Sequence, residues 1–136
     1  MGLVYAAVRL SNAREAMLAR LGQLPTEQVH TYETEALIDT GATRVVLPPF
    51  VADQLGLLRL GHTAAQYADG RYDEVDTTEP FFVEMLGRQT VAMAMVLGQQ
   101  ILLGVTVLEE LDLLVDPLRQ RVIPNPARPD QPVFRV

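Results

Sequence analysis

The stretch Ala36-Leu37-Ile38-Asp39-Thr40-Gly41-Ala42 decides how this sequence is read. Three apolar residues carry the backbone inward, and a carboxylate stands at their end. Thr40 and Gly41 then favour a tight turn, and Val45-Val46-Leu47 resumes the apolar pattern. An isolated charge is costly to bury, so Asp39 is expected to have a partner or to hold a proton at neutral pH. Taken alone, Asp-Thr-Gly is also an ordinary turn, because all three residues favour turns through side-chain-to-backbone hydrogen bonds or tolerance of positive φ. The rest of the chain has to decide between the two readings.

Composition narrows the field. A chain of 136 residues is long enough for one domain, 1–136, with its own core. Half-apolar composition with 21% charged residues describes a globular protein and not a disordered one. A net charge of −6 argues against a nucleic-acid surface, which needs clustered basic residues. The absence of cysteine removes disulfides, thiol nucleophiles and Cys-based zinc sites. His30 and His62 are isolated in sequence and read as surface or strand residues, so no metal site and no cofactor are expected. Met1 to Tyr5 lacks a basic segment, Arg9 interrupts the first apolar run, and no run approaches membrane-spanning length. A soluble cytoplasmic protein without a membrane partner is the expectation.

Outward from Asp39, the pattern is one of short strands. Gly2 to Leu10 reads as a strand, and Ser11-Asn12 caps a helix over Ala13 to Leu21 with Ala13, Met17 and Leu21 on one face. Val29 to Ile38 is the strand that delivers Asp39. Pro48-Pro49 opens a helix over Phe50 to Leu55, which Gly56 ends. Asp69-Gly70 is the strongest hairpin signal in the chain, between Thr63–Ala68 and Arg71–Thr78. A second hairpin is expected around Gly87-Arg88, with Thr90 to Leu97 buried on both faces. Ile101 to Gly104 is a short apolar run, and Thr106 to Glu109 forms a capping box for a helix with Val107, Leu108 and Leu111 inward. Leu113–Asp116 and Gln120–Ile123 suggest a last strand pair. The tail, 124–136, carries four prolines in thirteen residues and reads as an edge segment or a loose end. Together these predict an all-β barrel or sandwich with one or two short helices.

The order of these motifs resembles the retropepsin-like (clan AA) aspartic proteases, and in particular their bacterial single-domain type. The resemblance rests on Met1-Gly2-Leu3, the Asp39 turn, Ala68-Asp69-Gly70, Leu102-Leu103-Gly104, Leu108-Glu109…Leu111 and Val115-Asp116-Pro117. It spans roughly Met1 to Pro124, with 12–28 as an insertion, and each motif is weak alone but specific in combination. It implies a closed acid-protease barrel with one lobe per chain. It further implies Asp39 as the catalytic aspartate, with Thr40, Gly41 and Ala42 forming the active-site loop. Tyr67, Ala68, Asp69, Gly70, Arg71 and Tyr72 would form the flap over a substrate, and Leu102, Leu103 and Gly104 the support behind the loop. Thr43 departs from the second Asp of retroviral enzymes. Asp112 replaces a glycine expected after the last helix, a change that Asp tolerates in a left-handed conformation.

The chemistry implied is peptide hydrolysis by two carboxylates about 3 Å apart that share one proton and activate a water. One chain supplies one such turn. The second carboxylate would come from a second copy, through a two-fold homodimer, with Leu3–Leu10 and Arg121–Ile123 as candidate interface strands. The alternative reading is a non-catalytic dimerisation or protein-binding module on the same fold. A carboxylate pair holding a metal is weaker, since no cluster of further ligands is apparent.

Overall fold

The computed structural model describes residues 3–136. Strand β1 (Val4–Asn12) pairs antiparallel with β2 (Thr31–Ile38) along its whole length, from Val4 opposite Ile38 to Ser11 opposite Thr31. Val8, Leu10, Ala36 and Ile38 point into the core from this pair. Gly2, the expected start of β1, lies outside the described residues.

Helix α1 (Ala13–Arg20) follows β1 directly, because the Asn12 side chain accepts a hydrogen bond from the Glu15 N–H at 2.9 Å. Gly22 ends it in the left-handed conformation, with the Gln23 N–H reaching back to the Leu18 carbonyl. The shared face of Ala13, Met17 and Leu21 is not buried. No α1 side chain is buried, and Met17 and Leu21 are exposed. A 3-10 turn at Thr26–Gln28 leads back into β2.

The remaining elements are β3 (Val45–Leu47), α2 (Pro49–Gln54), β4 (Arg59–Gln66), β5 (Tyr72–Thr78), β6 (Phe81–Met85), β7 (Arg88–Ala92) and β8 (Ala94–Val96). They continue as β9 (Leu102–Leu103), α3 (Val105–Leu111), β10 (Leu113–Asp116) and β11 (Arg121–Pro124). Nine strands make one mixed sheet in the order β4-β5-β8-β3-β9-β2-β1-β6-β7, and β10–β11 form a separate antiparallel pair. The chain is therefore β-rich, as a retropepsin-like fold requires, with three α-helices among the described residues. Hydrogen bonding leaves the sheet with two ends, β4 and β7, so the expected barrel is not closed by strand pairing. No helix among the described residues is long and apolar enough to cross a membrane.

Leu10, Leu47, Leu55, Phe81, Leu103 and Leu111 are wholly buried and draw residues from both ends of the chain into one core. Truncating any of these leucines to alanine is expected to cost roughly 2–5 kcal/mol.

Local signals misplaced three features. The β6–β7 turn is Leu86-Gly87, both at positive φ, the pairing a two-residue hairpin of this twist demands, and Arg88 already belongs to β7. The strand expected over Thr90 to Leu97 breaks at Met93, because β7 pairs with β6 at the sheet's end while β8 pairs with β3 and β5. Val91 and Met93 are consequently exposed. Helix α3 begins at Val105 with Gly104 as its cap, so Thr106 and Glu109 do not form the capping box. Asp112 does take the left-handed position that ends this helix, at φ 54°.

The proline-rich tail is not loose along its length. The Asp112 carboxylate accepts hydrogen bonds from the Arg128 guanidinium, the Asn125 side chain and the Val133 N–H. Arg128 holds that carboxyl well below the usual carboxylate range. Buried Arg88 completes the junction, donating to the carbonyls of Leu111, Asp112 and Arg128 at 2.9 to 3.0 Å.

Candidate active site

Strand β2 delivers Asp39 to a turn that the far end of the chain supports from behind. The Leu37 N–H donates to the Ile101 carbonyl at 2.9 Å, and the Asp39 N–H to the Leu103 carbonyl at 3.0 Å. Strand β9 runs parallel to β2 on one side and antiparallel to β3 on the other. A two-residue strand thus ties together the segments before and after Asp39.

The turn itself is closed by local bonds. The Ala42 N–H donates to the Asp39 carbonyl at 3.1 Å, and the Gly41 N–H to Asp39 Oδ1 at 3.0 Å. A Cβ on Gly41 would stand 3.3 Å from that same oxygen, so a side chain there would crowd the carboxylate. Ala42 turns its carbonyl back to accept the Val105 N–H at 2.8 Å, which fixes the loop to the first turn of α3.

Gly104 explains why the Leu102-Leu103-Gly104 run ends in glycine. Its φ of −83° suits any residue. Space is the constraint: a Cβ there would lie 2.6 Å from the Ala42 oxygen and 2.9 Å from the Thr43 carbonyl carbon. The backbone of the Asp39 loop occupies the volume that a side chain would need.

Asp39 is half-buried, and Thr40 and Gly41 are exposed. The expected desolvated charge is therefore not what the single chain contains. Other aspartates hold cations or ring nitrogens: Asp69 with Arg71, Asp76 with His62, Asp112 with Arg128 and Asp116 with Arg121. Asp39 makes no ion pair among the described residues. No group of three or more His, Asp or Glu among them is arranged to hold a metal ion.

Tyr67 to Tyr72 form the tip of the β4–β5 hairpin. The loop has three residues, Ala68-Asp69-Gly70, and not the two-residue Asp-Gly turn, with Gly70 left-handed at φ 88°. The Tyr67 N–H donates to the Arg71 carbonyl at 2.8 Å and the Gly70 N–H to the Tyr67 carbonyl at 2.9 Å. Asp69 accepts from the Arg71 N–H and from its Nε, and both contacts hold its carboxyl below the ordinary value. The Arg71 guanidinium lies over the Tyr67 ring, 5.3 Å from its centre.

A groove of about 310 Å³ runs beside the loop, lined by Thr43, Arg44, Met93, Thr106 and Glu110 among others. A larger one of about 450 Å³ lies between β1, β2 and β6, around Ala7, Glu35 and Glu84. Neither includes Asp39.

Sequence reading missed Arg14, Glu79 and Arg88, whose partners lie far along the chain. The one local signal was a glutamate, Glu79, set between Thr78 and the apolar Phe81-Phe82-Val83 run. A charge at the mouth of a buried strand needs a partner.

A β-rich mixed sheet with an Asp-Thr-Gly turn braced from behind by a Leu-Leu-Gly run defines an aspartyl-protease type of domain. The chain belongs to the gag-polyprotein putative aspartyl protease family, whose profile it matches over residues 26–110. The match takes in the Asp39 turn, the β4–β5 hairpin and α3 up to Glu110, and leaves β1, α1 and the β10–β11 pair outside it. No curated protein matches the chain in sequence.

Proposed function

We propose that the chain is an aspartic endopeptidase of the bacterial single-domain type, acting on peptide or protein substrates as a symmetric homodimer. The observation that carries this reading is the Asp39 turn, which is fixed by backbone bonds to Leu103 and Val105 while Asp39 stays half-exposed and without an ion pair among the described residues. A carboxylate so held is rigid, accessible and free to meet its own copy.

In the dimer two Asp39 side chains approach to about 3 Å and share a proton, since like charges that close cannot both ionise. The ionised member draws a proton from the attacking water while the protonated member polarises the scissile carbonyl; they exchange roles as the amine leaves. Thr40 would bond across the axis. The hairpin tip Tyr67 to Tyr72 would close over the bound peptide.

The interface is best supplied by the β10–β11 hairpin, whose two strands, among the described residues, pair only with each other and whose Leu114 and Leu118 are exposed. Strand β1 suits this less well than its sequence suggests, because β2 covers one edge throughout and β6 the other at Arg9–Asn12. Leu3 and Tyr5 at its start remain exposed and can join the contact.

Incubation with a diverse peptide mixture at several pH values, read by mass spectrometry, tests the activity. Sedimentation at micromolar concentration tests the dimer. A strictly monomeric protein that cleaves nothing would overturn the reading.

A further inference from the structure

The β4–β5 hairpin is a long arm held at one end. β4 is the last strand of the sheet, and β5 meets a third strand only where Asp76 and Thr77 face Val96 and Met95 of β8. Beyond that point the two strands have only each other. Eight residues of β4 place the tip about 25 Å from the base, so a rotation of about 10° at the base moves the tip by about 4 Å. Whatever fixes the base fixes the tip.

The base is closed by Leu58 and Glu79. The Glu79 N–H donates to the Leu58 carbonyl at 2.9 Å, and the buried Glu79 carboxylate accepts the Leu58 N–H at 2.7 Å. Both oxygens of that carboxylate also accept from Arg14 of α1: Oε1 from Nε at 3.1 Å, and Oε2, which already takes the Leu58 N–H, from Nη2 at 3.2 Å. Arg14 also reaches the Gly56 carbonyl, and Asn12 donates to the carbonyls of Leu55 and Gly56 at the turn leading into β4. Burial would push the Glu79 carboxyl up, but Arg14 and the Leu58 N–H outweigh it and hold the group ionised below its ordinary value. Helix α1 buries no side chain of its own. Polar contacts from its first turn join it to the base of the hairpin.

We propose that Arg14, acting through Glu79, is a positioning residue: α1 serves as a clamp that sets the angle of the β4–β5 hairpin and hence the placement of its tip over a bound peptide. The tip's role rests on the proteolytic reading above; the clamp itself does not. It gives the 12–28 segment a task that its exposed apolar residues do not explain.

The test compares Arg14→Ala and Arg14→Lys with the parent by amide exchange and, in parallel, by peptide hydrolysis. Charged hydrogen bonds at a half-exposed site are modest in strength, so loss of both should speed exchange of the Thr63–Val75 amides roughly tenfold. Exchange in β1, β2 and β6 should stay as in the parent. Lysine keeps the charge but not the two-point geometry, and should restore part of the protection. For hydrolysis, KM should rise by a similar factor with kcat within about twofold, a split that uniform destabilisation would not produce. Hairpin exchange within twofold of the parent in Arg14→Ala would overturn the clamp, as would equal acceleration across β1, β2 and β6. If the parent cleaves no peptide, it is the reading of Asp39 that fails, and the exchange comparison still decides the clamp.

Discussion

Replacing Gly104 with alanine puts the support of the Asp39 loop under direct strain. The new Cβ would stand 2.6 Å from the Ala42 oxygen, where ordinary contact begins near 3.4 Å, so the carbonyl must retreat by about 0.8 Å. The obstacle is backbone, which cannot rotate away as a side-chain tip can. Forcing a methyl into a packed site costs typically 1–3 kcal/mol, and the upper end applies here. Against this, alanine at a compatible φ gains roughly 0.4–1 kcal/mol by restricting the unfolded chain. The expected net loss is about 2 kcal/mol, read as a lower urea midpoint at unchanged slope. The same carbonyl accepts the Val105 N–H, while the Ala42 N–H donates to the Asp39 carbonyl and the Gly41 N–H to the carboxylate, so the shift reaches the turn that orients the carboxylate. A displacement approaching 1 Å should lower kcat/KM by about 10²-fold. Gly61→Ala is the control, since its Cβ would meet only Thr77 Oγ1 at 4.0 Å. If Gly104→Ala matches the parent in both midpoint and rate, the packing argument for the Leu102-Leu103-Gly104 support is wrong.

Asp39→Asn should abolish hydrolysis and leave the sedimentation of the protein unchanged; a variant that still cleaves the parent's peptides would remove Asp39 from the mechanism. Arg88→Met keeps the side chain's bulk but strips hydrogen bonds from three carbonyls, and should cost about 3 kcal/mol in denaturant melts. A loss below about 1 kcal/mol would show that water satisfies those carbonyls equally well. The folded value of Asp112 is depressed, so its contribution to tail docking is complete above the unfolded carboxylate pKa of about 3.9 and is lost as pH falls through the folded value. Limited proteolysis near Ala127 should therefore find the parent tail protected at pH 4 and the Asp112→Asn tail open even at pH 7. Equal protection in the two proteins would rule out the Arg128 pairing as the tether.

What the sequence made legible was whatever is decided locally. β2, the Asp39 turn, α2 with Pro49 at its start, and the β10–β11 pair are set by apolar alternation and by proline and glycine. All of them form as those patterns require. Misreadings arose where a distant contact overrode a local preference. Thr106-Val107-Leu108-Glu109 is a sound capping box, but the Ala42 carbonyl captures the Val105 N–H and starts the helix earlier. Met17 and Leu21 have helical spacing, yet α1 docks through Asn12 and Arg14 and leaves them in solvent. The contacts of Gly104 with Ala42, Glu79 with Arg14, and Arg88 with Arg128 join parts of the chain that no window on the sequence contains.

The two-residue strand β9 has a consequence for how the protein is made. Residues 37 to 47 leave the ribosome long before Leu102 and Leu103, which must slot between β2 and β3 before the Asp39 turn has its backing. Pairings of such long sequence separation form late and slowly. A growing chain therefore carries its carboxylate on an unbraced loop until Ile101 to Leu111 have been synthesised and α3 has folded against Ala42. A fragment stopped at Gln99 should show fast amide exchange at Asp39, in contrast to the full chain. Synthesis order alone would then keep the proposed hydrolytic centre unassembled while neighbouring nascent chains are most exposed to it.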